Sequence, residues 1–336
     1  MERKNAWEKY DESGKKDVFG FSEKYRKFIS SCKTERECVK ESVELAKAAG
    51  YKDLYEVIKN NETLSAGDKV YAVNMNKAIV LFSIGKKPME EGLNILGAHI
   101  DSPRLDLKPN PLYEDTGFAY FKTHYYGGIK KYQWTTIPLA IHGVIAKPGG
   151  EVININIGED ESDPIFTITD LLPHLAGEQQ KKSLANGIAG EDLNLLIGSI
   201  PYDDEKVSEK IKLNILNILN MKYGIVEKDF ISAELEIVPA FRASSLGFDS
   251  SMIASYGQDD RSCAYTALRA LSTIKEVKKT AVMILSDKEE VGSMGNTGME
   301  SHIFEVFVAE LLNKSGQNGY NTLDKTLSNS KMLSAD

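Results

Sequence analysis

Three short segments, far apart in a chain of 336 residues, carry side chains that could hold divalent metal and move protons: His99-Ile100-Asp101, Asp259-Asp260-Arg261 and Glu289-Glu290. A further carboxylate, Asp336, ends the strand-like stretch 331–336. These groups sit at strand ends or loops, where open α/β sheets place their active sites. Residues i and i+2 of an extended segment share a face, so His99 could ligate a metal while Asp101 orients it from behind. The same pattern also suits a structural histidine at a strand end. A carboxylate of the Asp259-Asp260 pair could bridge two metals about 3.5–4 Å apart. It could equally cap the helix that follows, and one of the two is expected to do so. Adjacent Glu289 and Glu290 point in different directions, so one could bind metal while the other takes a proton from activated water. The alternative is a solvated acidic loop, an unusual interruption between a core strand and the glycine-rich Val291-Gly292-Ser293-Met294-Gly295.

The elements that must position these groups can be read from periodicity and turn signals. Residues 21–31 read as a helix, and Thr34 with Glu37 forms a capping box that opens a second helix over 35–49, closed by Gly50. Strands are predicted over 69–73 and 78–84, and over 93–100 leading into His99 and Asp101. Near Pro103 the texture changes to short β-like runs broken by Gly and Pro, such as 137–146 and 151–157. A long amphipathic helix over 203–222 and an alternating strand over 231–238 follow. Beyond residue 246 an α/β texture returns, with helices at 262–274 and 302–314. The continuous apolar run 280–286 fits a strand buried on both faces. The expected organisation is a catalytic α/β domain begun by residues 1–105, an inserted mainly-β domain at 106–246, and the catalytic domain resumed at 247–336.

Composition narrows the function classes. The net charge of −8 argues against nucleic-acid or anionic-membrane partners, which would repel it. Three scattered cysteines, Cys32, Cys38 and Cys263, fit a reducing compartment better than a disulfide scaffold. The start has no apolar run of signal-peptide type, and no stretch is long enough to span a bilayer. A cytoplasmic location is the expectation.

Taken in order, His99-x-Asp101, Asp259-Asp260-Arg261, Glu289-Glu290 and Ser334-Ala335-Asp336 resemble the M18 aminopeptidases, the aspartyl aminopeptidase family of the two-metal peptidase clan. The flanks strengthen the likeness: Gly97-Ala98-His99-Ile100-Asp101-Ser102-Pro103 is similar to that family's GAHTDSP segment. Tyr126-Gly127-Gly128, Leu172-Pro173-His174-Leu175-Ala176 and Asp287-Lys288-Glu289-Glu290-Val291-Gly292-Ser293 also resemble family segments. The resemblance runs from the N-terminal helices to the last residue. It implies an α/β, mixed-sheet two-metal peptidase core (phosphorylase/hydrolase-like) carrying an inserted mainly-β dimerisation domain. It implies that His99 and Asp336 hold one divalent ion and Glu290 the other, with Asp259 bridging, Glu289 as general base and Asp101 tuning the site. The ions would be zinc, with cobalt or manganese also compatible. The implied partners are peptide substrates, whose N-terminal Asp, Glu or other residue is removed, and further copies of the chain in a dodecamer with an inner chamber.

Two departures accompany the likeness. Some members of the family use an insert histidine across subunits, four residues after the one matching His174. Glu178 stands at that place here, which leaves His174 as the candidate for the role. The family also continues past Ser-Ala-Asp to a distal metal-binding histidine, so the sequence reads as a fragment missing the C-terminal part of the core. A truncated paralogue with an assembly role is the other reading. An N-deacylase or carboxypeptidase of the same clan is the remaining alternative for the enzyme.

Overall fold

The segments before residue 103 and after residue 242 fold together, while the stretch between them forms a unit of its own. The computed structural model describes residues 4–336. The first unit comprises residues up to Ser102 with Ala243–Asp336, and the second Pro103–Arg242. The first unit opens with helices α1 (Glu12–Ser31), α2 (Glu35–Ala48) and α3 (Leu54–Lys59) and strands β1 (Lys52–Asp53), β2 (Lys69–Asn74), β3 (Ala78–Ser83) and β4 (Asn94–His99). The second unit holds strands β5 (Arg104–Asp115), β6 (Phe118–Tyr126), β7 (Leu139–Ala146), β8 (Val152–Ile157), β9 (Leu195–Gly198) and β10 (Ala233–Pro239). Helices α4 (Gly177–Gln180) and α5 (Lys210–Tyr223) lie among them in the chain. The first unit then resumes with β11 (Ser244–Leu246), β12 (Met252–Ala254), α6 (Gln258–Thr273), β13 (Ala281–Ser286), α7 (Ile303–Lys314), α8 (Thr322–Ser328) and β14 (Lys331–Ser334).

The sheet of the first unit runs β1-β2-β3-β13-β4-β14 and is mixed. β13 pairs antiparallel with β3 and parallel with β4, and β14 is parallel to β4 on its other side. Every residue of β3 and β13 is buried, as expected of strands covered on both faces. Alternation sends Ile79, Leu81, Met283 and Leu285 into the core shared with α1, α2 and α6. Val80, Phe82, Val282 and Ile284 face the opposite core, with Phe307 and Leu311 of α7. Each such side chain, fully buried, contributes about 1.5–3 kcal/mol. The capping box at Thr34 forms: its hydroxyl accepts from Glu37 N at 3.3 Å, and Glu37 Oε2 accepts from Thr34 N at 3.0 Å.

Three parallel strands, β4, β13 and β14, bring their C-terminal ends to one edge, with Ser286 paired to His99 and Ser334 to Gly97. The Met332 side chain of β14 folds over Gly97 of β4, into the space a Cβ there would take. The pairing of β14 with β4 carries Asp336 toward His99.

The sheet of the second unit runs β8-β7-β10-β5-β6-β9 with antiparallel pairing. The helix read over 203–222 begins only at Lys210. Its free N–H groups find an acceptor in Glu114 of β5, which takes bonds from Ile211 N and Lys212 N at 2.8 and 3.0 Å. The strand read from residue 231 starts at Ala233, because 227–232 form a 3-10 turn that leaves Ile231 exposed. Among the described residues no helix is long and apolar enough to cross a membrane.

Candidate metal centre

His99 closes β4 and is buried. Its Nδ1 lies 3.1 Å from the Asp101 backbone oxygen and 3.3 Å from Asp101 Oδ1. Both neighbours only accept, so Nδ1 keeps its proton, and Nε2 is the nitrogen that gives up a proton and presents its lone pair when a cation binds. That Nε2 is buried without a hydrogen-bond partner, 3.4 Å from Asp259 Oδ1 and 3.7 Å from Glu289 Oε2. Burial works against a charge on the ring. The bond and charge of Asp101, with Glu289 and Asp260 behind, outweigh it and push His99 up to about 9. A buried imidazole ringed by carboxylates is a place short of positive charge.

The loops that bring the carboxylates are tied to β4. The Asp259-Asp260 peptide is cis. Ser102 Oγ donates to Asp259 O at 3.0 Å, and Arg261, almost wholly buried, donates from Nε to Ile100 O at 2.9 Å. Asp259 and Asp260 have non-helical backbone angles, a kink within α6 after which its regular turns begin. Asp260 turns to the strand, and its Oδ2 accepts from His99 N at 3.4 Å. Asp101 has a second task besides His99: Oδ1 accepts from Glu289 N at 3.2 Å and Oδ2 from Glu290 N at 3.1 Å. One buried carboxylate thus orients the imidazole and anchors the turn that bears both glutamates.

His99, Asp259 and Asp336 each offer a ligand atom, and these atoms lie within 4.8 Å of one another. Glu290 is outside that group. Its carboxyl is pushed up by burial, opposed by His99 and reinforced by the charges of Asp101, Glu289 and Asp259. A cavity of about 320 Å³ opens beside the cluster, lined by His99, Glu289, Met299 and Asp336 among others. His174 belongs to the second unit and is exposed, as is Glu178, which pairs with Lys181 at 2.6 Å. The unpartnered Nε2 and its carboxylate neighbours fit a divalent cation of the zinc type, which takes imidazole nitrogen and carboxylate oxygen. Sequence reasoning missed the positioning parts played by Ser102, Asp260 and Arg261. The only available signal was that they adjoin the ligand motifs.

A family profile described as Aminopeptidase I zinc metalloprotease (M18) matches residues 28–336. The probable M18 family aminopeptidase 1 of Clostridium acetobutylicum is 56% identical over 335 residues, covering 100% of this chain and 72% of that protein. The crystal structure of an M18 aminopeptidase from Thermotoga maritima superposes with a TM-score of 0.92 at 46% identity, over 99% of this chain and 72% of the other. The S. cerevisiae mApe1 dodecamer is similar in fold, with a TM-score of 0.72 at 22% identity over 95% of this chain and 72% of that one.

Proposed function

The chain belongs to the M18 family of zinc metallo-aminopeptidases, and from that premise we propose that it removes N-terminal residues from peptides by a two-metal mechanism. The observation that carries this reading is the buried, unpartnered Nε2 of His99 facing Asp259 and Glu289. His99 and Asp336 would hold one divalent cation and Glu290 the other, with Asp259 as the carboxylate shared by both. Bound there, the cations supply Lewis acidity toward the scissile carbonyl and lower the pKa of the attacking water. Glu289, whose side chain is half exposed and near Nε2, takes the proton from that water and returns it to the leaving amine. Asp101 keeps the imidazole in the tautomer that presents Nε2. Substrates are peptides with a free N-terminal amine, with Asp, Glu or another residue in first place, and zinc is the ion. The chain works as a homo-oligomer, a dodecamer with an inner chamber, in which exposed His174 serves a neighbouring copy's site.

The test is an assay on chromogenic Asp, Glu, Leu and Lys substrates with free amines, with added zinc or cobalt and with chelator. Metal-dependent release from one or more of them, absent when the amine is blocked, is expected. Release from amine-blocked substrates would move the reading to a deacylase. Glu289→Gln is expected to keep its metal and lose on the order of 10²–10⁴ in kcat, and near-normal turnover by that variant would remove Glu289 from the mechanism.

A further inference from the structure

Away from the ligand set, a group of charged side chains lies buried in the first unit with no part in the steps above. Glu35, the first residue of α2, is fully buried, and so is Asp287, which follows β13. Lys77, in the turn between β2 and β3, brings Nζ to 3.9 Å from Glu35. Thr297 Oγ1 donates to Asp287 Oδ2 at 2.6 Å, and Asn74 Nδ2 donates to Asn296 O at 2.7 Å. The other Asp287 oxygen, Oδ1, is buried without a hydrogen-bond partner, and Glu35 is the neighbouring carboxyl that can bond to Asp287 once one of the two is protonated. Two carboxylates have no hydrogen to share unless one is protonated. Burial first, and then the charge of Glu35, push Asp287 up to about 7, against the Thr297 bond and Lys77. Burial works against the charge of the Arg261 guanidinium, and the negative charge of Glu35 favours it.

The placement matters because of what lies between these contacts. Asp287 and Thr297 bracket the segment 287–297, which carries Glu289 and Glu290 through a glycine-rich turn. Inside the bracket, Asp101 holds the Glu289 and Glu290 backbone nitrogens. The Asp287–Thr297 bond ties the two ends together, and Asn74 anchors the far end through Asn296 O.

We propose that Glu35 and Asp287, clasped by Thr297, form a buried acid pair that positions Glu289 and Glu290 for metal binding and proton transfer. The pair holds one proton between its carboxyls, and α2 contributes to the site without touching metal or substrate. Glu35, Asp287 and Thr297 are positioning residues, and the inference rests on the roles given above to Glu289 and Glu290.

The experiment is cobalt(II) binding to the purified protein by chelator competition, with thermal melting of every variant alongside. Glu35→Ala and Thr297→Val are expected to weaken binding about tenfold or more, the loss typical of removing a partner that orients a ligand. Glu35→Gln and Asp287→Asn, whose amides provide the N–H that replaces the shared proton, are expected within about twofold of the parent. In the loaded enzyme kcat follows the same order while KM changes little. Alanine and valine variants that bind cobalt like the parent, or amide variants as weak as Glu35→Ala, would overturn the acid pair. If Glu35→Ala fails to fold, Thr297→Val decides on the same measurement, since it deletes one hydrogen bond at nearly constant volume. A parent protein that binds no cobalt overturns the metal reading itself, whereas a binding parent with indistinguishable variants overturns the acid pair alone.

Discussion

Asp101 is the residue on which the site's geometry converges. It accepts from the His99 ring on one side and from the Glu289 and Glu290 backbones on the other. Replacing it with Asn puts an N–H where only acceptors serve, so one of those bonds must be lost or the imidazole must change tautomer. Asp101→Asn is therefore expected to lower metal affinity about 10–100-fold, read by chelator competition, with thermal stability falling less steeply. Asp287 makes a pH prediction whose sign is set by its direction of shift. An acid held near 7 in the native state, against 3.8 ordinarily, binds more protons folded than unfolded between those values. Metal-free protein should lose stability as pH rises through that window and level off above it. Asp287→Asn should remove the slope and be the more stable protein at about pH 8, as measured by urea unfolding at several pH values; parallel curves for the two proteins would contradict this.

Among the elements, β13 is the one whose loss would be felt furthest, because it joins β3 to β4 and sends alternate residues into both cores. Met283→Ala leaves a cavity in a strand buried on both faces and is expected to cost about 2–5 kcal/mol. Thr34→Ala, which removes a helix cap, should cost about 1 kcal/mol. Denaturant midpoints at constant slope would check both. The contrast also marks what was legible in the sequence. The run 280–286 and the Thr34–Glu37 box are local patterns, and local patterns carry their own periodicity and hydrogen-bond chemistry. The start of α5 was not legible, because its acceptor, Glu114, lies on a strand almost a hundred residues away. The contact of the Asp260 carboxylate with the His99 amide was not legible either, because nothing nearby in sequence links residues 161 positions apart. Nothing local to Glu35 marks it as buried; the folded unit does, placing this first residue of α2 out of solvent.

At the scale of the whole molecule, the split of the core around the second unit sets what can be measured. An oligomer of twelve copies of a 37.3 kDa chain should be evident by light scattering. If assembly encloses the active sites, short peptides should be cleaved while the same N-terminal residue on a folded protein is spared. A monomer that cleaves both equally would contradict the enclosed chamber.

The sheet order has a further consequence, one of timing. β3 and β4 are not neighbours; the place between them belongs to β13, which lies beyond the entire second unit. As the chain leaves the ribosome, β4 emerges and then waits for about 180 residues before its partner arrives, roughly 10–40 s at common synthesis rates of 5–20 residues per second. Through that interval β3 has one unpaired apolar edge and β4 has two, since its other neighbour, β14, comes later still. Such edges are what chaperones recognise and what aggregates grow from. The centre of the sheet is thus filled only after the whole second unit has been made, with edge strand β14 following, and the yield in a cell depends on how well that gap is guarded until β13 fills it.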